Sequence, residues 1–442
     1  MSTIYRKLLM AGLVLFVLTG RGLAGNFFIQ DGDRVVFLGD SITEQRLYTT
    51  YIEAYTLARY PQWKLTFRNV GWGGDTAWLR QRSHPDEPTL FAADEAGQQA
   101  MVEKAVKGGL ERDVLPLRPT AVTIDFGMND HAYQPFREDI FKAYVRSQTE
   151  LAKVLEAAGA RVALLTPQPI EDKRPDPDQD ARNQSLRRFS DGLREVAEKE
   201  NARFVDQFGP YMAVLLQARA GNPSAFVGGG DAVHPGPPGH TLMAWAILKG
   251  LGASSEVSRA EIAAQGGSVA SAEHCAVSNV KVADHGISFD RLDEALPMPI
   301  AAAAEPALKL APVLEDLSRY VLRVTGLTGT NYEVKIDGEP AGQMSGEKLA
   351  EGVNLSNLPG PITKQGRKIL DLVARKNDIF FRRWRNVELF DLPTWARNEA
   401  SAEGRKAEVA KLDREIEGLE KQINEARKPV SHHFEIEQSA AQ

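Results

Sequence analysis

A chain of 442 residues is too long for one ordinary hydrophobic core and calls for two or three domains. Its 43% hydrophobic and 25% charged residues are ordinary for a soluble globular protein. The net charge of −6 argues against a polyanionic partner such as nucleic acid, whose phosphates need a basic face.

The first segment reads as a secretory signal over residues 1–24. Arg6 and Lys7 supply the positive start, Leu8–Leu18 is an apolar run of signal length, and Gly22-Leu23-Ala24 offers small residues for cleavage. The run is shorter than the ~20 apolar residues a spanning helix needs, so stable membrane insertion after cleavage is not expected. No cysteine stands at the cleavage point, which argues against a lipoprotein. Cys275 is the single cysteine, so no internal disulfide can form. An exported protein without disulfides fits a periplasmic or extracellular place in a bacterial envelope.

Residues 25–255 alternate strand and helix. Arg34–Leu38 is a short apolar run, and Leu65–Val70, Ala121–Phe126, Arg161–Leu165 and Arg203–Phe208 are further strand candidates. Helical patterns lie between them at Leu47–Tyr60, Glu138–Ala157 and Gln184–Lys199. Buried strands separated by helices predict an α/β fold, with a parallel five-stranded sheet and helices on both faces. Ligands in such folds sit beyond the carboxyl ends of the strands.

The pattern changes over 256–355. Val277–Val282 and Ile287–Phe289 flank Asp284-His285-Gly286, and Tyr332–Ile336 runs into Asp337-Gly338, so a β-rich module with hairpin turns is expected. Ala295–Pro312 reads as a loop. Over 356–428 the chain turns helical. Ile369, Leu372, Val373 and Phe380 share one face, and Val409, Leu412, Ile416, Leu419 and Ile423 recur at spacings of three and four. These predict an antiparallel helical hairpin packed on the body. Residues 429–442 read as a flexible tail.

Chemistry gathers at strand ends. Ser41 in Gly39-Asp40-Ser41-Ile42-Thr43 follows the first strand, on a turn into a helix whose start favours negative charge. A helix cap alone would explain such a serine. Asp231-Ala232-Val233-His234 lies on a loop framed by glycines and Pro235, where carboxylate and imidazole can sit side by side. Asn69-Val-Gly-Trp-Gly-Gly-Asp75 follows the second strand, and its glycines let backbone N–H groups approach a ligand. Gly127-Met-Asn129-Asp130 follows the third, placing an amide donor at the same edge.

Four such motifs, in this order along one edge, resemble the SGNH (GDSL-like) hydrolase superfamily. The resemblance covers roughly residues 33–250. It implies a flavodoxin-like three-layer α/β/α domain and a carboxylic ester hydrolase with Ser41, Asp231 and His234 as triad. It also implies an oxyanion hole made from Ser41, Gly74 and Asn129, with Gly73 as the nearby alternative to Gly74. The older form of the serine block has Leu where Ile42 stands, an exchange of apolar residues that leaves the roles untouched. No metal or organic cofactor is implied.

Asp130, His131 and Trp72 are the residues expected to touch substrate. Trp78 either stacks on a sugar or covers the core. Phe380, Phe381 and Trp384 among Arg382, Arg383 and Arg385 make either a substrate wall or a packed helix. The export signal, β module and aromatic residues point to a small-molecule or polysaccharide ester, and to O-acyl groups, chiefly O-acetyl, on carbohydrate. The rivals are a lipid esterase, lysophospholipase or thioesterase of the same superfamily, and a noncatalytic glycan-binding protein on this fold. A metallohydrolase has little support, because the 8 histidines are scattered and no H-E-x-x-H occurs.

Overall fold

A computed structural model of the chain describes residues 27–174 and 176–439. The signal segment expected over 1–24 lies outside the described residues.

Five strands form the first sheet: β1 (Arg34–Gly39), β2 (Thr66–Asn69), β3 (Ala121–Asp125), β4 (Arg161–Leu165) and β5 (Arg203–Val205). All pairs are parallel, in the order β2-β1-β3-β4-β5. The two-residue period of a strand sends alternate side chains to opposite faces. Val35, Phe37, Ala121, Ala163 and Leu165 therefore join one core, with helices Leu47–Arg59, Phe208–Gly221 and Pro237–Gly250. Val36, Leu38, Val122, Ile124, Val162 and Leu164 join the other, with helices Glu95–Asp113, Glu138–Ala157 and Ala181–Lys199. This is the expected three-layer α/β/α arrangement. The fifth strand is shorter than the apolar run suggested, because Phe208 opens a helix instead of extending β5.

Two further sheets follow. One has the order β13-β10-β6-β7, from β6 (Glu256–Ala263), β7 (Ser268–Glu273), β10 (Arg319–Thr325) and β13 (Val353–Asn354). The other has the order β12-β11-β14-β9-β8, from β8 (Cys275–Ala283), β9 (Gly286–Asp293), β11 (Asn331–Ile336), β12 (Glu339–Ser345) and β14 (His432–Gln438). Ala260, Ile262, Leu322 and Val324 from the first meet Phe289, Val334, Phe434 and Ile436 from the second in a single core.

Two expectations need correction here. The segment after Pro429 is not a flexible tail: β14 is the central strand of its sheet, antiparallel to both β9 and β11. His432, Phe434 and Ile436 face inward while Glu435 and Glu437 alternate outward, a two-residue period hidden among charged residues. Nor is Ala295–Pro312 a loose loop. Leu296, Met298, Ile300, Ala304 and Ala307 are buried, and a tight helix over Ala302–Lys309 joins the core that holds helix Pro237–Gly250.

Helices Pro361–Phe381 and Glu399–Ala426 run antiparallel, since Gln365 near the start of one donates to the Ala426 carbonyl at the end of the other at 2.8 Å. They lie against the α/β layers rather than apart from them. Ile369, Leu372, Val373, Leu419 and Ile423 enter one α/β core, while Phe380, Trp384 and Ile416 enter the other. Among the described residues no helix is long and apolar enough to cross a membrane.

Candidate active site

Ser41 opens the short helix Ser41–Glu44 at the carboxyl end of β1. Asp40 caps that helix by accepting the Ile42 N–H at 2.9 Å. Its carboxyl is pushed well above the ordinary range, first by burial and then by the nearby Asp125 charge. The second-strand turn is held against this helix by Asn69. Its amide donates to the Thr43 carbonyl at 2.7 Å and to Thr49 at 2.9 Å, and its oxygen accepts the Gly71 N–H at 2.9 Å. A Cβ at Gly71 would lie 2.3 Å from the Glu44 nitrogen, so only glycine permits the approach.

The Asp231–His234 loop is pinned on two sides. Asp231 N–H donates to the His234 carbonyl at 3.0 Å, closing the turn. Below it, buried Glu171 accepts the N–H groups of Val227 and Gly228, at 2.5 and 2.8 Å, and its own N–H donates to the Ala232 carbonyl at 2.9 Å. Gln168 donates to the Val233 carbonyl at 3.0 Å. This loop carries His234 to Ser41, where Nε2 stands 2.9 Å from Oγ. Nδ1 of the same ring is 3.2 Å from Asp231 Oδ2. Burial alone would raise the Asp231 carboxyl. The backbone N–H groups of His234 and Val233, with the imidazole, outweigh it and hold the group below the usual carboxylate range. An ionised Asp231 fits a partner that must fix one imidazole tautomer and support its positive form.

Asn129 and the glycine turn complete the edge. The Asn129 amide donates to the Asp75 carbonyl at 3.0 Å, which uses one of its two hydrogens. The Gly73 N–H is taken by the Glu44 carboxylate. Among the described hydrogen bonds none uses the Gly74 N–H, and Gly74 has φ +76°, in the left-handed region. Of the two glycines, Gly74 is thus the one with a donor to spare.

The three residues expected to touch substrate are buried. Asp130 is buried and accepts the N–H groups of Ala77 and Gly127, at 2.8 and 2.9 Å, so it staples the second and third motifs together. Its carboxyl is pushed up to about 7 by burial. His131 is buried as well, with Nδ1 at 3.2 Å from the Gly127 carbonyl, and burial pushes it down to about 4. Trp72 lies beneath three guanidinium groups, Arg385 at 3.4 Å, Arg112 at 4.9 Å and Arg82 at 5.4 Å from its ring centre. It is a packing post, 9% exposed, with one edge on the cleft toward Arg385 and Asn386. Trp78 is buried and donates to Glu87 at 2.8 Å, which places it in the core.

Sequence reasoning missed Glu171 and Tyr133. Glu171 lies in a polar stretch with no distinguishing spacing. Tyr133, four residues after Asn129, donates its hydroxyl to the Asn129 oxygen at 3.0 Å. Its φ of +56° follows +52° at Ala132, so two left-handed residues turn the ring back over the motif. The phenol is pushed up to about 12, mainly by burial, so it remains a donor. With its oxygen held and one N–H given to Asp75, the amide can aim its remaining N–H at the crevice. Tyr133→Phe is expected to lower kcat about fivefold, the worth of one neutral hydrogen bond, with KM within about twofold. Equal loss in KM and kcat, or a lowered melting temperature, would show that the hydroxyl only supports the fold.

Among the described residues no group of three His, Cys, Asp or Glu is placed to hold a metal ion.

The chain is similar to known acyl hydrolases. The model of the GDSL-like Lipase/Acylhydrolase family matches residues 37–242. An acetylxylan esterase of Geobacillus stearothermophilus is 25% identical over 248 residues, which are 51% of this chain and 96% of that protein. The solved structure of a gut microbial diltiazem-metabolizing enzyme is 25% identical, with a TM-score of 0.75, over 93% of this chain and 98% of that one. That second likeness extends through the two C-terminal sheets and the helical hairpin.

Proposed function

We propose, for a chain whose residues 37–242 belong to the GDSL-like Lipase/Acylhydrolase family and which is thereby a carboxylic ester hydrolase, an exported serine esterase that removes acyl groups, chiefly acetyl, from carbohydrate hydroxyls. The observation that carries this reading is the Ser41 to His234 contact of 2.9 Å, continued to Asp231 at 3.2 Å. His234 Nε2 takes the Ser41 proton as Oγ attacks the ester carbonyl carbon. The carbonyl oxygen becomes an oxyanion and accepts from the Ser41 N–H, the Gly74 N–H and the free hydrogen of the Asn129 amide. The imidazolium gives its proton to the leaving alcohol, and Ser41 holds the acyl group as an ester. Water, deprotonated by His234, then releases the acid and restores Ser41. Asp231 keeps the ring in register throughout.

The likeness to an acetylxylan esterase supports acetyl as the acyl group and a carbohydrate as the alcohol. The test is hydrolysis of acetyl and long-chain p-nitrophenyl esters and of acetylated xylan. The expected result is acetate release from both acetyl substrates, with kcat/KM for the long-chain ester at least about 100-fold lower. The reverse preference would move the substrate to lipids. No hydrolysis of any ester offered would leave a binding protein on this fold.

A further inference from the structure

We infer that the alcohol part of the substrate is a neutral, hydroxyl-rich carbohydrate chain held between the glycine turn and the C-terminal helical hairpin. This deepens the esterase reading above and rests on it. A cleft of ≈ 790 Å³ lies there, with Glu44, Gln81 and Arg112 on one side and Arg385, Asn386 and Phe390 on the other. That is within the usual size of small-molecule sites and suits a short oligosaccharide.

The cleft adjoins the candidate oxyanion turn through Glu44 and Gln81. Glu44 holds the Gly73 N–H, and the Gln81 amide lies 3.2 Å from where a Cβ of Gly74 would stand. Glu44 and Gln81 thus join this space to the turn that lies next to Ser41, where a Cβ on Gly73 would be 3.9 Å from the Ser41 Cβ. The far wall exists because the chain widens into a π-helical turn over Arg382–Glu388. Such turns recur at functional positions. Here the turn buries Trp384 edge-on to Trp72 at 5.9 Å between ring centres and lays Arg385 over the same ring. Trp72 is thus the post that fixes the hairpin against the site.

The charges of the lining select the ligand class. Arg112, Arg385 and Arg405 face Glu44, Glu388 and Asp391, so the signs balance. Most are also engaged. Glu388 is taken by Arg383, Asp391 by Arg397 at 2.7 Å, and Arg405 donates to the Phe390 carbonyl at 2.6 Å. A polyanion would find no net field, and an acyl chain would find charged walls. Beside these charges the lining offers the amides of Gln81 and Asn386 and the rings of Trp72, Phe381 and Phe390, the last 53% exposed. Amides match sugar hydroxyls, and an exposed ring matches the C–H face of a sugar.

The experiment uses Asn386→Ala and Phe390→Ala in the full chain; both residues are exposed, so folding is not at risk. The readout is the ratio of kcat/KM on acetylated xylo-oligosaccharide to that on p-nitrophenyl acetate. Each variant is expected to lower the ratio about tenfold, through KM for the oligosaccharide. Titration of the Ser41→Ala protein with the same oligosaccharide should show binding that Phe390→Ala weakens by a similar factor. An unchanged ratio in both variants overturns the inference. A preference for acetylated acidic oligosaccharide over the neutral one overturns its ligand class. Failure of the esterase reading is separate and shows as p-nitrophenyl acetate hydrolysis that survives Ser41→Ala.

Discussion

Ser41→Ala is expected to lower kcat on p-nitrophenyl acetate by at least about 10⁴-fold, with the unfolding midpoint unchanged. The hydroxyl makes one described contact, with His234, so its loss removes the proposed nucleophile without opening the core. What remains is attack by water, still aided by the N–H donors around the crevice. His234→Ala should cost a similar factor, and the double variant little more than either, because the two act as a unit. Multiplicative losses would mean that the two residues act independently.

The second large effect concerns stability. Lys376, on helix Pro361–Phe381, pairs with Glu53 of helix Leu47–Arg59, and their side chains are 1% and 3% exposed. Asn377 adds donations to Glu53 at 3.1 Å and to Thr50 at 3.0 Å. Burial drives the Glu53 carboxyl up and the Lys376 ammonium down, and each charge holds the other in place. Lys376→Met leaves the Glu53 carboxylate buried with the Asn377 amide and the weaker influence of the Arg68 charge. It is expected to cost about 3–5 kcal/mol of unfolding free energy, read from the urea midpoint of the full chain. Glu53→Leu combined with Lys376→Met should recover most of that loss, since two apolar groups carry no desolvation penalty. A single variant as stable as the parent would mean that the pair does not fasten the hairpin to the α/β layer.

The α/β half was legible because its signals are local. The strand run at Val35–Leu38 is apolar on both faces, as a sheet covered on two sides requires. Ser41, Asn129 and Asp231-His234 stood at strand ends or on a glycine-framed loop, and the fold brings them to one crevice. What the residues could not reveal was burial. Asp130, His131 and Trp72 carry polar or aromatic groups beside the motif residues and read as contacts. Backbone N–H groups claim Asp130, the Gly127 carbonyl claims His131, and arginines from distant segments cover Trp72. The strand at His432–Gln438 was hidden because only Phe434 and Ile436 mark its inner face, and its partners lie in β9 and β11, far back in the chain. The hairpin itself was legible, but the cleft beside it was not: its helical period shows that one face is buried, not which residues it is buried against.

The central claim is that Ser41 carries the acyl group, and covalent labelling tests it most directly. The protein is treated with a serine-directed organophosphonate and the labelled peptide is mapped by mass spectrometry. The account predicts one label per chain, on Ser41, with esterase activity lost in proportion, and no labelling of His234→Ala at a comparable rate. Labelling at another residue, or full activity in a protein labelled at Ser41, would contradict it.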